Sequence, residues 1–167
     1  MKRLIVMRHG KAEKEAESGE DFDRALADRG IAEAKAVAEA LKSYGVKPDY
    51  ALVSEAARTQ GTFKAVQSVL GDIPSEVRKD MFDADSYALR DLIEAHEAAG
   101  ETILVVGHNP AVQFLVLEYM VEASASVVDM DKVRAGYPTA TATLFDIDAA
   151  GRAQYDGLFR PRDLIGA

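Results

Sequence analysis

The chain has 167 residues, 48% hydrophobic and 29% charged, which suits one globular domain and is too apolar for a disordered chain. It has no cysteine, which excludes disulfides, thiolate catalysis and cysteine-based zinc sites and fits a reducing cytosol. The formal net charge of -8 disfavours a nucleic-acid partner, because phosphate backbones are bound by clustered lysines and arginines.

No targeting or membrane segment is predicted. The apolar run near the start is too short for a signal-peptide core, since Arg8 interrupts it. No window approaches the roughly 20 apolar residues of a membrane span. We therefore expect a single domain over residues 1–167, monomeric, cytoplasmic and without a membrane partner.

The first half of the chain alternates strand and helix patterns. Short continuous apolar runs predict two buried strands, at residues 4–7 and 50–53. The polar, acidic residues 11–23 predict a loop after the first strand. Apolar residues at helical spacing predict two helices, at residues 28–44 and 54–70. Ser54 is expected to cap the second helix.

The middle of the chain contains the clearest strand. Residues 72–85 are predicted to be irregular, with a short strand around Val77. Ser86 is expected to cap a helix that runs to about Ala98, and His96 within it is predicted to lie on the surface. After that helix, β-branched residues dominate a continuous apolar run that is typical of a central parallel strand, at residues 102–106.

The last part begins with a helix opened by Pro110, since proline is tolerated in a first helical turn. Alternating polar and apolar residues then predict a strand over 139–147, and a final short strand is expected near Tyr155. Strands that alternate with helices predict a three-layer α/β/α sandwich, with a mostly parallel central sheet and an antiparallel edge.

Three motifs with arginine or histidine follow predicted strands. In such sheets the ligand crevice lies beyond the carboxyl ends of the strands, so we expect the motifs to meet at one rim. They are Arg8-His9-Gly10, Ser54 to Arg58, and Gly107-His108-Asn109.

The residue types at this rim suit phosphoryl transfer, which requires mainly positioning and charge neutralisation. A neutral His9 can act as the nucleophile and form a covalent intermediate, and neighbouring arginines lower its pKa. Arg8 and Arg58 can bind phosphate oxygens bidentately. His108 can donate to the same oxygens, and Gly10 lets the backbone approach the phosphate. Neither a metal ion nor a cofactor is then required.

These motifs resemble the signature of the histidine phosphatase superfamily, also called the phosphoglycerate mutase-like family. The similar segments follow the family's order and cover most of the chain: Met7–Glu13, Asp23–Gly30, Ser54–Thr59 and Val106–Pro110. The resemblance implies the family's fold and a phosphate pocket formed by Arg8, His9, Arg58 and His108. It also implies that His9 is phosphorylated in the cycle and that Arg24 lies close to the pocket.

Three other positions bear on this resemblance. Many relatives have proline where Glu55 stands and glutamine where Gly61 stands. A glycine inside a helix costs roughly 1 kcal/mol relative to alanine. Asn109 is expected to cap the following helix, and we also count it among the substrate-binding candidates.

The small size of the chain and its Tyr137–Ala140 segment resemble the SixA-like branch of the superfamily. That branch is associated with removing phosphate from phosphohistidine on signalling or phosphotransfer proteins. The resemblance therefore implies a hydrolase that dephosphorylates a phosphohistidine-bearing protein.

The general acid is less clear from the sequence. A phosphomonoester needs a proton for its leaving alkoxide, and Asp80 best matches the family's acid by its context. A phosphohistidine substrate relaxes this demand, because imidazole is a much better leaving group. Two alternatives remain open: a phosphomonoesterase that acts on a small phosphorylated metabolite, and a non-catalytic module that recognises phosphorylated partners.

Overall fold

The computed structural model describes residues 1–165, which fold into six strands and six helices. The strands are β1 (Arg3–Arg8), β2 (Tyr50–Ser54), β3 (Ser75–Arg78), β4 (Thr102–Gly107), β5 (Ala142–Ile147) and β6 (Ala153–Phe159). The helices are α1 (Asp28–Ser43), α2 (Ala57–Leu70), α3 (Ser86–Ala95), α4 (Ala111–Glu122), α5 (Val127–Arg134) and α6 (Pro161–Leu164).

The strands form one mixed sheet in the order β3-β2-β4-β1-β5-β6. The pairs β3-β2, β2-β4 and β4-β1 are parallel, whereas β5 is antiparallel to both β1 and β6. With helices on both faces, this confirms the predicted three-layer α/β/α fold with a mostly parallel sheet and an antiparallel edge.

The register of the central strands aligns their carboxyl ends. Strand β4 lies between β1 and β2, with Arg8 opposite Gly107 and Val53 opposite Val106. The residues that follow these three strands therefore leave the sheet at the same edge, as the topology predicted.

The central strands bury both of their faces, which explains their continuous apolar runs. In β1, Leu4 and Val6 pack into the core beneath α3, α4 and α5, whereas Ile5 and Met7 pack against α1 and α2. All four side chains are fully buried. The sheet thus separates two apolar cores, and this fixes the strand ends that carry the site.

Two predicted helix caps are wrong. Ser54 does not cap α2, whose N-cap position is two residues later and has no side-chain hydrogen bond. Asp85 rather than Ser86 caps α3, because its carboxylate accepts a hydrogen bond from the backbone N–H of the third helical residue at 2.8 Å. Helix α3 also ends earlier than expected, at Ala95.

His96 is not a surface residue as predicted. Its side chain is 19% exposed, and its ring lies between the Leu92 carbonyl oxygen at 2.7 Å and the Glu76 carboxylate at 2.8 Å. Glu76 also pairs with Arg78. This network joins the end of α3 to strand β3, which lies about twenty residues earlier in the chain. The acidic neighbours Glu94 and Glu97 had suggested an exposed position.

The sequence patterns missed helices α5 and α6 and gave β6 too short an extent. Helix α5 begins after Ser126, whose side chain accepts a hydrogen bond from the Asp129 N–H at 3.1 Å.

Among the helices within residues 1–165, none has the length and apolarity needed to cross a bilayer.

Tyr137 joins the segment before β5 to the central strand β1. Its side chain is buried, and its hydroxyl donates to the Val6 carbonyl oxygen at 2.9 Å. The Thr143 hydroxyl lies 2.8 Å from the Tyr137 hydroxyl oxygen, and it donates to that oxygen, because the tyrosine hydrogen is already used.

We expect Tyr137→Phe to lower the free energy of unfolding by about 1–3 kcal/mol, because buried polar groups then lose their partner. Urea denaturation measures the change. Tyr44→Phe is the matched control, since that exposed hydroxyl bonds to Asp156 and its loss should change stability by less than about 0.5 kcal/mol. Equal effects of the two substitutions would contradict this account.

Candidate active site

Four side chains meet at the carboxyl ends of three neighbouring strands. Arg8 ends β1 and His9 follows it, His108 follows β4, and Arg58 lies in the first turn of α2 after β2. The ring centroids of His9 and His108 are 5.3 Å apart, with the ring planes tilted by 58°. His9 and Arg58 are buried, so the structure gathers the four residues into one largely desolvated cluster.

His9 is a neutral imidazole with one reactive nitrogen. Its Nδ1–H donates to the Gly10 carbonyl oxygen at 2.7 Å, which leaves the lone pair on Nε2. Burial lowers the pKa of His9 from 6.5 to about 4; the Gly10 hydrogen bond opposes this, and the charges of Arg58 and Arg8 add to it. Nε2 is therefore unprotonated and available as a nucleophile at neutral pH.

Gly10 supports His9 and does not offer donors to a substrate. Its N–H donates to the Thr62 hydroxyl at 2.9 Å, and its carbonyl accepts from His9. A Cβ at this position would lie 2.8 Å from the Gly30 carbonyl oxygen and 3.0 Å from Leu26. The close approach of these backbone segments therefore requires glycine, but the site uses Gly10 for positioning rather than for the substrate contact that the sequence suggested.

The two arginines are each held at one end of the guanidinium group. Arg8 donates from Nη1 to the Tyr137 carbonyl oxygen at 2.9 Å. Arg58 donates from Nη1 to the Asp21 carbonyl oxygen at 2.9 Å and from Nη2 to the Asp21 carboxylate at 3.1 Å. Within residues 1–165, neither buried Nε–H has a partner. Because a guanidinium has five N–H donors, each arginine retains donors for an anion.

His108 is held by Ser54, whose Oγ lies 2.8 Å from Nε2. We assign the serine hydroxyl as the donor, which places the imidazole proton on Nδ1; this nitrogen has no partner in the described part of the chain. Burial, together with the charges of His9 and Arg58, lowers the pKa of His108 to about 3. The ring is thus a neutral N–H donor, and Phe82 packs edge-on against it at 5.4 Å.

Asp21 is a site residue that the sequence analysis missed. It lies in a 3-10 turn, Asp21–Asp23, and its carboxylate accepts hydrogen bonds from both Arg58 and Arg24. Burial raises the pKa of Asp21, but the opposing effects of Arg24 and Arg58 hold it below its ordinary range. Asp21 stays ionised and fixes Arg58. It is one of several acidic residues in this segment, so the pattern alone gave no signal for it.

Arg24 and Asn109 border the site, but protein atoms already engage their polar groups. Arg24 donates to the Asp21 carboxylate at 2.8 Å and to the Glu13 carbonyl oxygen at 2.9 Å. Asn109 donates to the Tyr137 carbonyl oxygen at 3.1 Å and accepts from a backbone N–H of α4 at 3.3 Å. The N-cap position of α4 is Pro110 and not Asn109 as predicted, although the Asn109 side chain accepts this bond from the first turn of the helix. Both residues support the site.

Asp80, the predicted general acid, forms its side-chain hydrogen bonds with Arg78 rather than with His9 or His108. Its carboxylate accepts from Arg78 Nε at 2.9 Å and from Nη2 at 2.7 Å, and this pairing lowers its pKa. A paired, ionised carboxylate is a poor proton donor at neutral pH.

Within residues 1–165, no group of three or more histidines and carboxylates is arranged to hold a metal ion.

Gly61, where many relatives have glutamine, does not interrupt helix α2. A Cβ at Gly61 would lie 3.0 Å from Leu26 Cβ, so glycine lets Leu26 pack directly on the helix. The contact holds the segment before α1 against α2. This same segment carries Asp21, whose carboxylate must reach Arg58.

Comparisons with known proteins point to one family. The family model described as the histidine phosphatase superfamily (branch 1) matches residues 4–86. The structure of a candidate phosphohistidine phosphatase SixA from Agrobacterium tumefaciens has a TM-score of 0.82 and 28% identity, covering 96% of this chain and 99% of that one. The structure of the protein histidine phosphatase SixA complexed with tungstate has a TM-score of 0.77 and 23% identity, covering 97% and 99% of the two chains.

A curated plant protein is also similar. An uncharacterised chloroplastic protein of Arabidopsis thaliana is 32% identical over 118 residues, which are 65% of this chain and 54% of that protein. The match therefore spans about half the length of the curated relative.

We expect the imidazole of His9 to titrate with a midpoint near pH 4, well below 6.5, because the folded protein buries it beside Arg58 and Arg8. Nitrogen NMR of the labelled protein in phosphate-free buffer measures the midpoint. Arg58→Gln should raise it, whereas Arg29→Gln, an exposed charge paired with Glu33, should leave it unchanged. A wild-type midpoint at or above 6.5 would contradict the assignment of a neutral nucleophile.

Proposed function

Because this chain belongs to the histidine phosphatase superfamily, we propose that it removes phosphate from phosphohistidine on a signalling or phosphotransfer protein, through a phosphorylated His9. One observation carries the proposal. The free Nε2 of a neutral His9 lies in a cluster with His108 and with two arginines that retain unpartnered donors. The proposed enzyme is a monomeric cytoplasmic phosphatase that needs no metal ion.

The reaction proceeds in two displacements at phosphorus. In the first, Nε2 of His9 forms a bond to phosphorus while the P–N bond of the substrate breaks. The leaving imidazole departs neutral when its other ring nitrogen carries a proton. In the second, water attacks the phosphorus, the bond to Nε2 breaks, and inorganic phosphate leaves with one proton of the water released to solvent. His9 is then neutral again.

The surrounding groups stabilise the charge that spreads over the transferring phosphoryl oxygens. The free donors of Arg8 and Arg58 bind these oxygens, and His108 donates from Nδ1. Asp21 keeps Arg58 in place through two hydrogen bonds, so the guanidinium is preorganised before the substrate arrives. Catalysis then depends mainly on positioning and on fixed charge, which is what phosphoryl transfer requires.

We choose a phosphohistidine substrate because the part of the site that the structure describes has no evident proton donor for an alkoxide leaving group. Among the residues described, no aspartate or glutamate forms a hydrogen bond with His9 or His108, and Asp21 and Asp80 are both held ionised by arginines. An alkoxide leaving group needs a general acid, whereas an imidazole leaving group does not. The likeness to the Agrobacterium tumefaciens structure supports the same substrate class.

We expect the wild-type protein to hydrolyse a histidine-phosphorylated protein, and His9→Ala to reduce the rate by about a thousandfold or more, because the covalent route is lost. The assay is a panel of phosphohistidine proteins and phosphate monoesters, run with and without chelator. Radiolabel on His9 should survive an acid-free quench when its formation outpaces its breakdown.

The same panel separates the alternatives. Asp80→Asn should leave phosphohistidine turnover unchanged; a loss confined to ester substrates would favour a phosphomonoesterase for small metabolites. Absence of turnover with every substrate would favour a non-catalytic binding module, and chelator sensitivity would contradict the metal-free mechanism.

We expect Asp21→Asn to lower kcat/KM by about tenfold, because Arg58 loses a charge-assisted hydrogen bond that orients it. Asp23→Asn is the matched control, since that carboxylate bonds to Ser18 rather than to an arginine. Equal losses in the two variants would show that the turn as a whole matters, and not the Asp21–Arg58 contact.

A further inference from the structure

Helix α4 is apolar on its outer face as well as on the face that packs into the core. Phe114 and Val121 are 54% and 60% exposed, and their spacing of seven residues places them on the same side of the helix. Tyr87 of helix α3 is 73% exposed and lies beside them. We call these three residues, together with the half-buried Leu117, the apolar patch.

Two adjoining hollows give the apolar patch its shape. One has a volume of about 380 Å³ and lies between Tyr87, Phe114 and Val121. The other, of about 370 Å³, shares Tyr87 and Phe114 and extends to Asp83 and Pro110. Both hollows are shallow, but they adjoin, so the apolar side chains form one continuous surface rather than a set of isolated ones.

The apolar patch begins beside the candidate active site. Pro110 comes two residues after His108, and Phe114 lies about one helical turn beyond Pro110, about 6 Å along the axis. Asp83 follows Phe82, whose ring packs against the ring of His108. Two separate stretches of chain thus lead from the contact between Phe82 and His108 out to the patch.

This continuity indicates what covers the patch. A phosphorylated side chain that reaches His9 must carry the rest of its molecule outward over the rim of the site. A metabolite would end near the rim, but a protein domain would cover the surface next to it. On the premise of the proposed function, we propose that the apolar patch docks the protein that bears the phosphohistidine.

The charges around the patch define the chemistry of this partner. Asp83 and Asp85 lie at one end, and Glu118 lies between the turns of α4 that carry Phe114 and Val121. The matching surface is an apolar area next to the phosphohistidine, flanked by lysine or arginine. Exposed aromatic residues such as Tyr87 and Phe114 are common anchors of protein interfaces.

A second copy of this chain is a poorer occupant. Seated on the patch, it would lie across the rim through which the phosphoryl group must enter, and it would obstruct the reaction. We therefore assign the patch to the substrate protein, and the oligomeric state becomes one of the outcomes of the test.

The test compares two substrates of the full-length enzyme: a histidine-phosphorylated phosphotransfer domain and the small compound phosphoramidate. We expect Tyr87→Ser and Phe114→Ser each to lower kcat/KM for the protein by about tenfold, mainly through KM. Hydrolysis of phosphoramidate should stay within about twofold of wild type, since neither residue contacts the four clustered side chains. Tyr44→Ser is the matched control, because Tyr44 is also exposed but lies on the other side of the sheet.

Each outcome decides one question. Parallel losses on both substrates, or unchanged turnover of the protein, would overturn the docking role. A change from dimer to monomer in sedimentation on Phe114→Ser would assign the patch to a second copy instead. Wild-type enzyme that hydrolyses phosphoramidate but no phosphohistidine protein would overturn the proposed substrate class, and the docking role with it.

Discussion

The hydrogen bond from His9 Nδ1 to the Gly10 carbonyl oxygen is the interaction on which the site depends. It decides which ring nitrogen is free, and the acceptor is a backbone group that does not titrate. The choice of tautomer is therefore independent of pH, unlike that of a histidine oriented by a carboxylate. Gly10 is fixed in turn by Thr62 of helix α2. The nucleophile is thus oriented by the packing of the first strand against a helix.

An acidic chain with a net charge of -8 must gather its cations to bind an anion. Burying a guanidinium is unfavourable unless its donors are satisfied, and Arg58 is only 6% exposed. The carboxylate and the carbonyl oxygen of Asp21 accept hydrogen bonds from Arg58, and the Tyr137 carbonyl oxygen accepts one from Arg8. Burial first, and then the positive charge of the arginines, lowers the pKa of both histidines and keeps them neutral.

The sequence was informative where a local pattern of residues determines how distant parts of the chain come together. Continuous apolar runs predicted the central strands, and the rule for parallel sheets placed His9, Arg58 and His108 at one edge. It was uninformative where the partner is remote and its residue type is common. Ser54 bonds to a histidine 54 positions away, and Asp21 to an arginine 37 positions away. A serine before a helix suggests a cap, and an aspartate in an acidic stretch suggests a solvated charge, so neither contact was predicted.

The packing of Leu26 against Gly61 also restricts how this sequence can vary. A side chain at position 61 would press on Leu26, because its Cβ would lie 3.0 Å from Leu26 Cβ, and Leu26 approaches Gly10 and Gly30 as well. Glutamine at position 61 therefore requires Leu26 to give way or to be replaced by a smaller side chain. We accordingly expect the two positions to evolve as a pair, and a swap of either one alone between homologues to be poorly tolerated.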